Sequence, residues 1–278
     1  MEISEVIEGD KEDIKTSFSF ELTSRDYSFN KTTNNEGSID SLEKWGLSPR
    51  LSLACLRISG RKFDKSEAQA FLLDLFSSSA LYEALNIFDK SGKSIKLKPS
   101  SPSTLNPASL EFEELISTAT SMTFFDRLIE AGAVHESGSI KKRMDEDYYG
   151  VTICDCLREA LICPEEGSMI YSGLFTENEK KELLYKLLKF ITTGGPLCQH
   201  EDTWGAYLET TRSLYKDLVV VTKANDGKTL NVVSSAFLIT RFDGLFPTDN
   251  PHSVCIVSVD PIRRIVTILM HTFLSSGW

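Results

Sequence analysis

Along the first third of the chain, apolar positions alternate and then cluster. Phe18, Phe20 and Leu22 alternate with polar residues, the period of a half-buried strand. Residues 23–40, rich in Asn, Ser and Thr, read as a loop, and residues 51–57 (LSLACLR) as a second strand. Ala68, Phe71, Leu72, Leu75 and Phe76 then fall at helical spacing and predict a helix near 65–77, with a shorter one over 79–86. Ser91-Gly92 reads as a turn into a short strand carrying Ile95 and Leu97. Residues 99–108 (PSSPSTLNPA) form a Ser/Pro-rich loop.

The second half opens helical. Residues 119–131 predict a helix stopped by Gly132, and residues 151–161 another. The clearest helix covers 177–192. Thr176 and Glu179 form a capping box, Leu183, Leu184, Leu187, Leu188 and Ile191 make the stripe, and Gly194-Gly195 ends it. A helix near 203–216 follows. Residues 217–223 and 229–240 are β-branched runs around Asn225-Asp226-Gly227, a hairpin signal, and 253–259 and 263–273 read as two more strands joined at Asp260-Pro261. The pattern is α+β: an N-terminal strand-helix portion, a helical region, then a C-terminal antiparallel β-meander.

Composition narrows the class. The 278 residues fit one large domain or two small ones, and we read an acidic tail over 1–16 followed by a single domain over 17–278. The tail is too poor in large apolar groups to offset the entropy of ordering. Net charge is −10, and no segment has the basic excess that neutralising phosphates requires, so neither nucleic acid nor an anionic membrane is an expected partner. The start is acidic where a signal peptide is basic, and no stretch nears the ~20 apolar residues of a membrane span. A cytosolic setting with six reduced thiols is expected.

Candidate chemistry is sparse. Ser91-Gly92-Lys93-Ser94 looks like the end of a phosphate-binding loop, but Ile87 stands where that loop needs a glycine. Cys154, Cys156, Cys163, Cys198 and His200 lack the paired spacing of a zinc site and read as free thiols and a lone imidazole. No histidine sits in a nucleophile frame. No cofactor, metal or catalytic residue is therefore assigned, and no enzyme is expected. The rival is an enzyme or small-molecule-binding protein of unknown chemistry. Two charged loops remain as recognition candidates. Asp260, Arg263 and Arg264 form a compact turn, read as flanking an exposed edge of the meander that could accept a partner strand. Glu201 and Asp202 close the glycine-rich loop 194–202, which otherwise reads as a helix stop and a cap.

A longer pattern runs through these loops. It comprises Gly194-Gly195, Leu197-Cys198-Gln199, Glu201-Asp202, Tyr207-Leu208-Glu209-Thr210-Thr211 and Tyr215-Lys216-Asp217-Leu218-Val219. It resumes at Ser234-Ser235, Phe237, Val259-Asp260-Pro261-Ile262-Arg263-Arg264 and His271. Upstream stand Ser121-Met122, Phe124-Phe125, Arg127-Leu128, Ser137-Gly138 and Ile140, and more weakly Phe18-Ser19-Phe20 and Trp45-Gly46-Leu47. In these residues the chain resembles the cilia- and flagella-associated protein 300 family. The resemblance implies a non-enzymatic adaptor, cytoplasmic and in the cilium or flagellum axoneme, for preassembly and delivery of outer and inner dynein arms. Its implied partners are dynein assembly factors, chaperones or dynein arm subunits. The family has no assigned catalytic residues. His200 departs from the aromatic residue usual there, and residues 240–252 match loosely.

Overall fold

The computed structural model describes residues 17–23, 29–85, 87–88, 94–95, 109–163, 170–195, 197–223, 230–242 and 250–272. The first half comprises β1 (Phe18–Leu22), α1 (Asn30–Thr33), α2 (Glu36–Lys44), β2 (Leu51–Gly60), α3 (Ala68–Phe76), α4 (Ser79–Ala84), β3 (Ile87–Phe88), β4 (Ser94–Ile95), β5 (Glu111–Leu115) and α5 (Arg127–Glu130). The second comprises β6 (Lys142–Tyr148), β7 (Val151–Asp155), α6 (Cys156–Ile162), α7 (Glu177–Lys180), α8 (Leu183–Thr193) and α9 (Gly205–Leu218). The chain finishes with β8 (Val221–Lys223), β9 (Leu230–Val232), β10 (Ser235–Arg241), β11 (Val254–Asp260) and β12 (Ile265–His271).

One six-stranded antiparallel sheet, ordered β1-β2-β12-β11-β10-β5, organises the molecule. Helices cover both faces. Val254, Ile256 and Leu269 join a core with α2, α6, α8 and α9. Cys255, Val257, Val266 and Ile268 join a second core with α3 and α4. Burial on both faces is why β11 opens on a continuous apolar run, residues 254–257, rather than an alternation. The α+β class, the N-terminal strand-helix portion and the C-terminal meander are all present.

The structure redraws several elements. The expected loop 23–40 holds α1 and the start of α2, which runs on to Lys44. Asn35 caps α2 by accepting from the Ser38 amide, and α2 buries Ser38, Ser41 and Leu42 rather than an apolar stripe. The predicted helix at 119–131 is a 3-10 turn (Met122–Phe125) followed by α5, with Gly132 beyond it in the left-handed region. Residues 151–155 are a strand, because Val151, Ile153 and Asp155 alternate inward, and the helix starts only at Cys156.

The helix expected over 177–192 is split at Lys181–Glu182. The Thr176–Glu179 capping box is in place. The break arises because Ile116 donates to the Lys181 carbonyl and accepts from the Leu183 amide, so a neighbouring segment takes the helix's own hydrogen bonds. Within the expected meander, 217–218 belong to α9, and β8 and β9 form a separate two-stranded ladder. β10 is flanked by β5, and β12 by β2. The meander thus has no free edge, and the outer strands of the sheet are β1 and β5. The expected acidic tail 1–16, most of the turn at 91–94, the loop 99–108 and the turn 225–227 lie outside the described residues.

Candidate functional site

The loop between α8 and α9 is the densest meeting point of the residues singled out above. α8 ends at Gly194, whose φ of 66° suits glycine. Gly195 has no room for a side chain, because a Cβ there would land on the Gly46 carbonyl. The bare backbones therefore lie against each other: Gly195 N donates to the Trp45 carbonyl (2.8 Å) and Gln199 N to the Lys44 carbonyl (3.0 Å). Trp45-Gly46 at the end of α2 and Gly194-Gly195 at the end of α8 thus form one joint.

Behind the joint lies a buried polar chain. Trp45 stacks on Tyr207 with ring centroids 4.4 Å apart. Tyr207 accepts from the Arg158 guanidinium (2.6 Å) and from the Glu201 amide (3.2 Å). Arg158 is fully buried and pairs with buried Asp155, whose other oxygen caps α6 at the Arg158 amide (2.8 Å). Burial pushes the Tyr207 hydroxyl up to about 12, with Arg158 pulling it down. Arg158 Nε and Trp45 Nε1 are buried without a hydrogen-bond partner, and a buried ion pair of this kind costs more when one member is removed than it adds when intact. His252 adds a further tie, with Nδ1 2.7 Å from the Gly194 carbonyl.

Within this loop Cys198 Sγ lies 3.2 Å from His200 Nδ1. Burial pushes the thiol up to about 11 and the imidazole down to about 4. At neutral pH the pair is a thiol beside a neutral ring. A cysteine nucleophile needs the opposite shift, toward thiolate. All six cysteines are free, and no group of three or more potential metal ligands occurs among the described residues.

The sequence-selected charges sit on two separate loops. Glu201 pairs with Lys44 (2.8 Å), and Asp202 pairs with Lys142 (2.7 Å), a bond that holds the Asp202 carboxyl below its usual range. Asp260 closes its own turn, accepting from the Ile262 and Arg263 amides at 2.9 and 3.0 Å. Arg264, at φ 58°, donates to the carbonyls of Ile58 (3.2 Å), Gly60 (2.7 Å) and Arg61 (3.3 Å). It ties the turn to β2 rather than facing a partner. Arg263 is 64% exposed beside Ile262, itself 65% exposed. No hydrogen bond or ion pair links the two loops among the described residues. Sequence reasoning missed the Trp45–Tyr207–Arg158–Asp155 chain. Its one signal was a charge pair bracketing the apolar Cys156-Leu157 and heading a largely apolar helix.

The fold and this joint define an α+β protein whose marked loop residues serve first to lock helices together. A family model described as cilia- and flagella-associated protein 300 matches residues 17–271. The chain is 35% identical to the "Cilia- and flagella-associated protein 300" of Chlamydomonas reinhardtii over 84% of this chain and 90% of that one. It is 31% identical to the protein of the same name from Paramecium tetraurelia, over 91% of this chain and 96% of the other. No solved structure matches it. The chain belongs to the cilia- and flagella-associated protein 300 family.

Proposed function

We propose that the chain is a non-enzymatic adaptor that works in the cytoplasm and the cilium to preassemble and deliver outer and inner axonemal dynein arms. Membership of the family carries this reading, since its curated members bear a name that ties them to cilia and flagella. The site chemistry supports it from the other side. The Cys198–His200 pair is held neutral, and the buried charges of Asp155 and Arg158 face each other rather than a cleft. No described helix is long and apolar enough to cross a membrane.

The adaptor meets dynein assembly factors, chaperones or arm subunits through exposed loops. Asp202 and Arg263 are the candidate contacts that remain available at the surface. Glu201, Asp260 and Arg264 shape the same loops from within. The test is affinity purification of the tagged chain from the cytosol of a cell with motile cilia, followed by mass spectrometry. Co-purifying dynein chains with assembly factors are expected. A preparation free of both counts against the reading.

A further inference from the structure

A groove of about 660 Å³ lies beside the C-terminal half of α9. Its apolar wall is Met122, Tyr215, Val221 and Leu230. Its cations are Lys31, Arg212 and Lys216, and no Asp or Glu lines it among the described residues. In a chain with 40 acids and 30 bases, a lining with three cations and no carboxylate is a local inversion of the overall charge. Of the nearby acids, Asp217 is engaged elsewhere and Glu209 neutralises one of the three cations from outside the groove. Asp217 accepts from the Lys31 amide (2.9 Å), the Thr32 amide (2.8 Å) and the Thr32 hydroxyl (2.7 Å). Glu209 pairs with Arg212 but does not line the groove. The Lys31 and Lys216 ammonium groups pair with no carboxylate among the described residues.

We propose that this groove docks an extended acidic segment of a partner protein, its apolar side chains against Val221 and Leu230 and its carboxylates on Lys31, Arg212 and Lys216. Charge complementarity selects the acidic class. The local structure selects an extended chain. Val221 and Leu230 stand 41% and 48% exposed on the β8–β9 ladder, and no third strand pairs with that ladder among the described residues. Ladder edges of this kind accept an added strand, and alternate side chains then enter pockets. The protein nature of the occupant rests on the adaptor reading; the acidic, apolar-anchored chemistry does not.

The test selects a random twelve-residue phage-displayed library on the purified full chain. The double variant Lys31→Glu/Lys216→Glu serves as counter-selection. The expected winners carry Asp or Glu between Leu, Ile or Phe. As labelled synthetic peptides they lose about tenfold or more in affinity to the double variant. They also lose affinity to Leu230→Asp, and they weaken as salt rises. Lys31→Gln/Lys216→Gln, which removes charge without reversing it, gives a smaller loss in the same direction and keeps the test valid if the reversal disturbs folding. Winners without acidic bias, or binding that the variants leave unchanged, overturn the proposal. A library that yields nothing while dodecanoate binds at Leu230 makes the occupant a small amphipathic anion and overturns the choice of a protein segment. A groove that selects acidic peptides, in a chain that captures no dynein factor from cytosol, leaves the site standing and sinks the adaptor reading.

Discussion

Arg158→Met is the sharpest structural probe of the buried chain behind the joint, which links α2, α6 and α9. The substitution keeps a long apolar stem and removes a guanidinium that is fully buried. It leaves the Asp155 carboxylate with the Arg158 backbone amide at 2.8 Å and the Cys154 thiol at 3.6 Å as partners. Stranding one member of a buried ion pair costs about 3–5 kcal/mol. The Tyr207 hydroxyl also loses its 2.6 Å donor, which adds about 1 kcal/mol. Domain stability is on the order of 5–15 kcal/mol, so the loss is a large fraction of the whole. With a urea m-value of about 3 kcal/mol/M, the unfolding midpoint should drop by roughly 1–2 M. Tryptophan fluorescence is a suitable readout because Trp45 stacks on Tyr207 beside the pair. Asp155→Asn/Arg158→Met should recover part of the loss, since no charge is stranded and Asn still caps α6. An Arg158→Met midpoint within about 0.2 M of wild type at unchanged m would refute the reasoning.

Other outcomes follow from single contacts. Gly195→Ala must displace the Gly46 carbonyl, which is backbone and cannot swing aside, so it should cost about 1–3 kcal/mol in thermal or urea unfolding. Cys198, with its thiol pushed up to about 11 by burial, should alkylate slowly with iodoacetamide at pH 7.5 and faster as pH rises; labelling at the rate of an exposed thiol would contradict this. Burial holds His271 neutral and lowers its pKa to about 4 from 6.5. Its contribution is present above pH 6.5 and is lost as pH falls toward 4, so an acid titration of stability should flatten in His271→Gln. Arg264→Glu should destabilise the chain, because it removes three donors to backbone carbonyls and places like polarity against them. Arg263→Gln gives up only a 3.7 Å contact with Asp260 from an exposed side chain and should cost about 1 kcal/mol or less, so the two variants compared by thermal melting separate a structural arginine from a surface one.

What the sequence reveals of this fold follows from which forces leave a periodic trace. The strand at Phe18 and Phe20 and the stop at Gly194 are legible because one buries alternate side chains, with Leu22 at its end left exposed, and the other needs a left-handed φ. α2 is not, since it packs on α9 through Ser38 and Ser213 hydroxyls 3.3 Å apart rather than through an apolar stripe. The split between α7 and α8 is invisible for a different reason. Glu182 is recruited by distant partners, its carboxylate accepting from the Thr118 (3.1 Å) and Ala119 (3.2 Å) amides. The glycine-rich loop was legible as a helix stop, but its contact with Trp45-Gly46 joins segments about 150 residues apart and has no local signature. Arg264 illustrates the converse. It reads as an exposed recognition charge, yet its donors serve the carbonyls of β2.

The central claim is a role in building dynein arms. The most direct measurement is electron microscopy of axoneme cross-sections in a motile ciliated cell whose own family member is deleted, with and without this chain expressed in its place. The account predicts that outer and inner arms are missing after deletion, that arm subunits remain unassembled in the cytosol, and that this chain restores the arms. Axonemes with a full complement of arms after deletion would contradict it.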